Sequence, residues 1–463
     1  MISFSPLDII VILLFFTVLL SVGFYSSRKT TSSSEDYLLS GRNLSLFLFV
    51  LTTVSTWYGG IIGVGEFTYR YGLLSWFTQG LPYYFFAFLF AIFFAKKIRN
   101  AFLFTIPDKI EIEYGKTAGI ISSIIVFILV TPAPYLLMTA NLLVLSFDID
   151  IVPALIISLF LSISYLIKGG FRSNVYADAF QFFVMFGGFI IIFVVSLINY
   201  GGLEFIDSNV PETHMNVTGG ASPGFIIVWF LIAMWTFADP GFHQRSFAAK
   251  SGSIAVKGIL ISIGFWVLFD FLTTATGLYA KAVLPDLDQP IWAFPLLAEK
   301  VLAPGLKGIF YAALFATILS TLNSFFFLSA TTISRDLIYK IKNDKKDVNL
   351  KKYTVLGLFI SGILSSLIAY SIPSVVEIWY TIGSLFIPGI ILPVISAYYP
   401  EIQVSKKIIL LEMIMAVLGS TLWFFLRTEI VVNIYFVNEI EPMIVGLVLS
   451  LIIHTFGLII YKK

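Results

Sequence analysis

Cysteine is absent from this chain of 463 residues. That excludes disulfides, thiol catalysis and cysteine-ligated metals. Charge is scarce too: Asp, Glu, Lys and Arg make up 12% of the residues, against about 25% in soluble domains. Histidine occurs three times. His214, His243 and His454 are scattered, without the paired placement that haem or a metal centre requires. No P-loop, nucleophile elbow or metalloprotease motif is present. Nothing in the chain reads as a soluble nucleotide-binding domain, which argues against an ATP-driven pump, and nothing suggests a nucleic-acid partner.

What is present is hydrophobic. The chain is 58% apolar and 17% aromatic, with 47 Phe, and its mean hydropathy is +0.94. Apolar runs of about 20 residues, each long enough to cross a bilayer, recur along nearly its whole length. The expected class is an all-α polytopic membrane protein whose first solvent is lipid. The sequence predicts thirteen spans, near 7–25, 44–66, 72–95, 117–147, 151–167, 176–199, 222–243, 254–280, 308–336, 353–372, 375–399, 407–426 and 437–461. The first has no basic leader and no small-residue cleavage site, so it is read as a span and not a signal peptide.

With the N-terminus placed outside, 24 of the 29 basic residues fall in loops on the inner side. Arg245 and Arg172 are counted among them. That asymmetry is the positive-inside pattern. It predicts a plasma-membrane protein (inner membrane if bacterial) with an external N-terminus and a cytoplasmic C-terminus. The inner run 341–352, IKNDKKDVNLKK, reads as a solvated topology anchor.

Two spans are interrupted. The second reads LTTVSTWYGGIIGVGEF, with Gly59, Gly60, Gly63 and Gly65 beside a cluster of hydroxyls. The seventh reads VWFLIAMWTFADPGFHQR, broken at Asp239-Pro240-Gly241, where proline removes a backbone donor. The two run in opposite directions, five spans apart. Breaks at matching places in two inverted halves point to a transporter's midplane site. The alternative for either one is a kink or close helix packing.

The ninth span carries Thr317, Ser320, Thr321 and Ser324 at i, i+3, i+4 and i+7. They form one hydroxyl stripe. Such a stripe suits a dehydrated monovalent cation, or else plain helix–helix hydrogen bonding.

Three segments then carry a resemblance. GGFRSNVYADAFQ (169–181), DPGFHQRSFAAKS (239–251) and ATILSTLNSFFFLSATTISRDLIY (316–339) resemble, in order and spacing, motifs of the sodium:solute symporter family. The likeness covers about 44–400. It implies two inverted five-helix repeats, a LeuT-like core, with one extra N-terminal and two extra C-terminal helices. The implied divisions are 1–43, 44–199, 200–221 (an external loop), 222–400 and 401–463. The implied function is sodium-coupled symport of a small organic solute by alternating access, with Na+ as coupling ion and no enzymatic reaction.

By the same resemblance, Ser320 and Thr321 match the two hydroxyl ligands of a sodium site between the second and ninth spans. Thr317 would offer its carbonyl, and further carbonyls would come from near Val54 and Trp57. Asp178 matches an acidic position that helps hold a second sodium in some members, and Ser324 could join it. The alternative for Asp178 is a carboxylate paired with Arg172 or the Gln181 amide. Ser55, Thr56, Trp57, Tyr58, Tyr83, Tyr135, Trp235, Phe237 and Asp239 are the candidate solute-lining residues.

The second and third spans look most like the choline-transporting branch, in TWYGG and GLLSWFTQGLPYYFF, but Gly241 stands where that branch has a cage tryptophan. Asp239 and Asp270 are read as deep acids with no deep base to match, which favours a cationic or zwitterionic solute, or proton coupling. Glu66 is expected near the outer mouth, in water. Two rival readings are a solute-sensing module with little transport and a membrane enzyme using Asp239 with His243. Oligomeric state is not legible.

Overall fold

The computed structural model describes residues 2–31, 33–342, 347–372, 374–429 and 440–461. Residues 343–346 of the charged inner run and 437–439 of the last expected span lie outside them. The architecture is all-helical. The spans are helices because, in lipid, a backbone can satisfy its own polar groups only within a helix or a closed barrel.

Among the described residues, ten helices are long and apolar enough to cross a membrane, and two further pairs qualify as bent spans. With the shorter apolar helix Ile151–Ile163, each of the thirteen expected spans has a counterpart. α1 is Pro6–Ser27. The first repeat comprises α2 (Leu46–Ser55) and α3 (Ile61–Tyr71), then α4 (Leu74–Asn100), α6 (Lys116–Phe147), α7 (Ile151–Ile163) and α8 (Leu166–Tyr200). A short helix α5, Ile106–Tyr114, precedes α6. The second repeat comprises α9 (Pro223–Ile232) and α10 (Pro240–Ala248), then α11 (Gly252–Val283), α12 (Leu306–Tyr339), α13 (Asp347–Ser371), and the bent pair α14 (Glu377–Gly389) and α15 (Ile391–Ala397). α16 (Lys406–Glu429) and α17 (Pro442–Tyr461) close the chain.

Both expected breaks are present. The α2 and α3 segments bend by 57° across Gly59–Gly60. α9 loosens into a 3-10 turn at Ala233–Phe237, and α10 restarts at Pro240 with Asp239 as its N-cap. Proline suits a first helical position, where no N–H is needed.

One boundary differs from expectation. The sixth span begins not near 176 but at Leu166, and the helix runs on through a kink at Gly170, where φ is +55°. A β-carbon there would lie 2.4 Å from the Tyr37 carbonyl oxygen, so glycine is required twice over. Lys168 and Arg172, expected in a loop, therefore lie on this helix. Arg172 pairs with Asp36. Burial works against ionisation of Asp36, but the Thr31 N–H and the Arg172 guanidinium hold its carboxyl below the usual carboxylate range.

α12 is the axis of the bundle. In its most apolar window 89% of residues are buried, against 28–56% in the other spans. A helix apolar all round belongs inside, and α8, α1, α13 and α6 enclose this one. The hydroxyl stripe therefore faces protein and not lipid.

Candidate functional site

α12 passes the α2–α3 break at very short range. A β-carbon on Gly59 would lie 2.4 Å from Thr321 Cβ, and one on Gly60 would lie 2.5 Å from the Trp379 ring. The glycines are there to admit these neighbours. Their φ values are ordinary, so conformation is not the reason.

At this contact the Ser320 hydroxyl donates to the Ser55 carbonyl at 2.6 Å and stands 3.0 Å from the Thr317 carbonyl. The Thr321 hydroxyl donates to the Thr56 carbonyl at 2.6 Å. Five neutral oxygens from both repeats thus converge, on residues whose exposure does not exceed 2% apart from Thr56. A set of carbonyls and hydroxyls suits a hard alkali ion, which would replace the two donated hydrogen bonds with ion–oxygen contacts. Among the described residues no group of three or more His, Asp or Glu could hold a metal ion.

The expected carbonyls were those of Val54 and Trp57. Those that meet the hydroxyls belong to Ser55 and Thr56. Each lies one residue from the expected position, at the junction of α2 with the 3-10 turn Thr56–Tyr58. Ser55 and Thr56, expected to face solute, contribute backbone here, and their hydroxyls bond back to Leu51 and Thr52 carbonyls.

Asp178 lies one turn away from this cluster. Its Oδ2 accepts from the Thr52 hydroxyl at 2.5 Å, from Asn174 Nδ2 at 3.0 Å and from the Thr56 hydroxyl at 3.3 Å. Neither expected alternative partner is present: Arg172 is taken by Asp36, and both polar atoms of the Gln181 amide lack a partner. The partner is Arg245, 3.4 Å away and 2% exposed. The sequence reading assigned Arg245 to an inner loop and found no deep base. The loop begins later, because α10 restarts after the break and carries Arg245 back into the bundle. Ser324 joins the same group, 3.1 Å from Arg245 and 2.7 Å from Asn174.

The candidate solute residues divide. Trp57, Tyr83, Tyr135 and Trp235 remain partly accessible amid a buried core. Trp57 packs against Tyr83, Phe242 and Trp266, with ring centroids 5.0–5.5 Å apart. Tyr83, Tyr135 and Trp235 all come within interaction range of the Asp239 carboxylate. Asp239 Oδ1 accepts from the N–H groups of Gly241 and Phe242.

Tyr58 and Phe237 turn elsewhere. Tyr58 is buried against Phe269 and donates to the Trp266 carbonyl. Phe237 packs on Phe86 and Phe94 of α4. Both make packing contacts away from Trp57. Trp379, which sequence reasoning missed, covers Gly60 and meets Tyr135 at 5.8 Å. One aromatic among so many gave no signal of its own.

His243 is buried with Nε2 on the Phe237 carbonyl, so it does not form the acid–base pair with Asp239 that an enzyme would need. Asp270 accepts from the Tyr84 hydroxyl, and Glu66 pairs with Arg70 at 3.0 Å.

Comparison with known proteins agrees with this geometry. The family model described as "Sodium:solute symporter family" matches residues 37–401. The chain is similar to "Sodium/proline symporter 2" of Staphylococcus saprophyticus, 24% identical over 442 residues, covering 89% of this chain and 85% of that one. It is also similar to a "Sodium/proline symporter" of Staphylococcus aureus, 24% identical over 368 residues, covering 75% of this chain and 72% of that one.

Among solved structures, a Na+-coupled sialic acid symporter in a substrate-bound outward-open state superposes with a TM-score of 0.82. Identity is 16%, and 100% of this chain and 99% of that one are covered. Mhp1, a nucleobase-cation-symport-1 family transporter in a closed conformation, superposes at 0.54 with 11% identity, covering 92% and 94%. The fold is thus that of the LeuT-like transporters. With its family match over most of its length, the chain belongs to the sodium:solute symporter family: it is a multi-pass membrane carrier that couples sodium to a small organic solute by alternating access, and not an enzyme.

Proposed function

We propose that the solute is a small zwitterion, of the amino-acid or betaine type, bound between the two broken helices. Asp239 carries the reading. It stands at the second break with tyrosine and tryptophan rings around it, and its Oδ2 takes no part in the cap bonds. A carboxylate backed by aromatic faces suits a cationic nitrogen. Across the site, α3 begins at Gly60 with no side-chain cap. Its positive dipole end suits the carboxylate of the same molecule. The Staphylococcus relatives are named for proline, which is a zwitterion.

On this reading sodium is held by the Ser320 and Thr321 hydroxyls with the carbonyls of Ser55, Thr56 and Thr317. The ion ties α2 to α12, and so one repeat to the other. Its loss lets them part and releases the ion toward the side where Arg335 lies. The basic-residue asymmetry supports that side as the cytoplasm, with the N-terminus outside and the protein in the plasma membrane. Each charge carried inward gains about 2.3 kcal/mol per 100 mV of membrane potential. Coupling is reciprocal, so sodium and solute tighten one another's binding by the same factor.

The test is a thermal-shift screen of purified protein against amino acids, betaines, sugars and carboxylic acids, in sodium and then in potassium, followed by uptake into proteoliposomes. Zwitterions should stabilise in sodium only. Stabilisation confined to sugars or to anions without a cationic nitrogen would refute the assignment. Binding without uptake would indicate a sensor.

A further inference from the structure

The outward face of α1 carries an apolar groove with a cation at one end. Thr17 and Ser21 are small and stand one turn apart, beside Leu20, Phe24 and Tyr25, so they leave a furrow along the helix. The groove holds about 550 Å³ and ends at Arg28. Both hydroxyls are satisfied within the helix, by the carbonyls of Leu13 and Thr17. The furrow therefore presents carbon to whatever lies in it, and α1 is a span, so what lies there is the bilayer.

The cation has neighbours of its own sign. Arg28 lies over the Tyr25 ring at 5.8 Å, and Lys29 follows it. The end of α1 is pinned against the start of α8. The Thr30 hydroxyl donates to the Gly169 carbonyl at 3.1 Å, and that of Ser173 to the Gly23 carbonyl at 2.7 Å. Lys168 thus stands beside them, and Lys351 of α13 donates to its carbonyl at 3.4 Å. Arg28, Lys29 and Lys168 are exposed. The carboxylates of this corner are taken, Asp36 by Arg172 and Glu35 by Arg42. Among the described residues Arg28, Lys29 and Lys168 form no ion pair. Like charges gathered in this way repel, and a bound anion would relieve them.

The geometry points to a binding site for an anionic phospholipid, with one acyl chain along Thr17 and Ser21 and the phosphate at Arg28. A guanidinium offers a phosphate two parallel N–H donors, and Tyr25 sits where aromatic rings meet headgroups. A soluble anion has no use for the furrow, and an acidic protein would not follow it into lipid. α1 packs on α8 and α12, the helices that carry Asp178 and the Ser320–Thr321 pair. The lipid therefore steadies the frame around the proposed ion site. The inference is independent of the nature of the solute.

The experiment titrates the purified full chain in detergent with phosphatidylglycerol, phosphatidylcholine or glycerol phosphate. Native mass spectrometry reads the retained ligand, alongside melting temperature. Only phosphatidylglycerol should be retained and raise the melting temperature. Arg28→Ala with Lys29→Ala should weaken its binding about 25-fold, at about fivefold for each base near the membrane surface. Ser21→Phe, which fills the furrow and leaves every charge in place, should weaken it roughly tenfold. Lys257→Ala removes an exposed base on α11 and should change nothing.

Equal retention of phosphatidylcholine, or glycerol phosphate binding as tightly as the lipid, overturns the inference whether or not any variant folds. So does unchanged binding in folded Arg28→Ala with Lys29→Ala. An equal loss in Lys257→Ala also overturns it, since the attraction would then belong to the basic surface at large.

Discussion

Gly59 lies against Thr321 with no room for a side chain: a β-carbon on the glycine would fall 2.4 Å from Thr321 Cβ and 2.5 Å from its hydroxyl oxygen. This contact joins the interrupted helix of the first repeat to the hydroxyl helix of the second. Gly59→Ala should push the two apart and lower sodium-driven uptake at least tenfold. Gly187, with open space around its Cα, is the control. Gly187→Ala, in the middle of α8, should leave uptake unchanged and raise stability by about 0.5–1 kcal/mol.

Ser320→Ala and Thr321→Ala each remove one hydroxyl from the proposed ion site while leaving α12 buried and helical. Each should raise the half-saturating sodium concentration roughly tenfold, equivalent to about 1.4 kcal/mol. Thr321→Ser keeps the hydroxyl and should stay close to wild type. Sodium titration of initial uptake rates decides this. Wild-type sodium dependence in both alanine variants would remove these residues from the ion site.

Asp239→Asn retains an oxygen that can accept from Gly241 and Phe242, so the helix cap survives. Only the charge is lost. Solute KM should rise about tenfold or more, the range of a charged hydrogen bond at about 1.5–3 kcal/mol. Melting temperature without solute should hardly change. An unaltered KM would show that Asp239 is a cap and nothing else.

Trp379 covers Gly60 and stands beside Tyr135. Trp379→Ala should open the space over the break and raise solute KM, with a smaller effect on sodium activation. Trp379→Phe should fall between. Equal losses in both parameters would point to a packing role.

At the far end of α12, Asp108 on α5 pairs with Arg335 at 3.1 Å and with Lys340 at 2.9 Å. Burial works against the Asp108 charge, but Arg335 and Lys340 more than compensate and hold its carboxyl below the usual range. A depressed carboxylate contributes above its unfolded value, about 3.9, and its contribution is lost only as pH falls through the folded value. The Asp108 share of the lock should therefore persist down to below about pH 4, while Lys340 also faces Glu111 and Asp336. Asp108→Asn should loosen the lock at any higher pH. The chain has no cysteine, so a single Thr332→Cys, in the small cavity beside Gln244 and Thr105, reports opening by thiol labelling. Labelling should be several times faster with Asp108→Asn.

Much was legible before the structure. The hydroxyls at 317, 320, 321 and 324 were readable as one face, because helical spacing is a local property. The breaks at Gly59–Gly60 and Asp239–Pro240 were readable for the same reason. The donor carbonyls were legible only to within a residue, because which carbonyl faces α12 depends on how the two helices pack. Arg245 was missed because counting basic residues by loop assigns a side chain to the place where its chain segment was expected to lie. The Gln-Arg pair four residues after a helix restart was the available signal. Tyr58 and Phe237 resembled their neighbours in type and differed in what they pack against.

Composition and periodicity alone determined that this is a membrane protein, how many times it crosses, and where its helices break and carry hydroxyls. Lipid imposes those features on each segment separately. Only the tertiary structure decided that Ser320 meets Ser55 across a sequence separation of 265 and that Arg245 pairs with Asp178. Those pairings depend on how helices from two inverted halves pack side by side, and no local pattern encodes the distance between them.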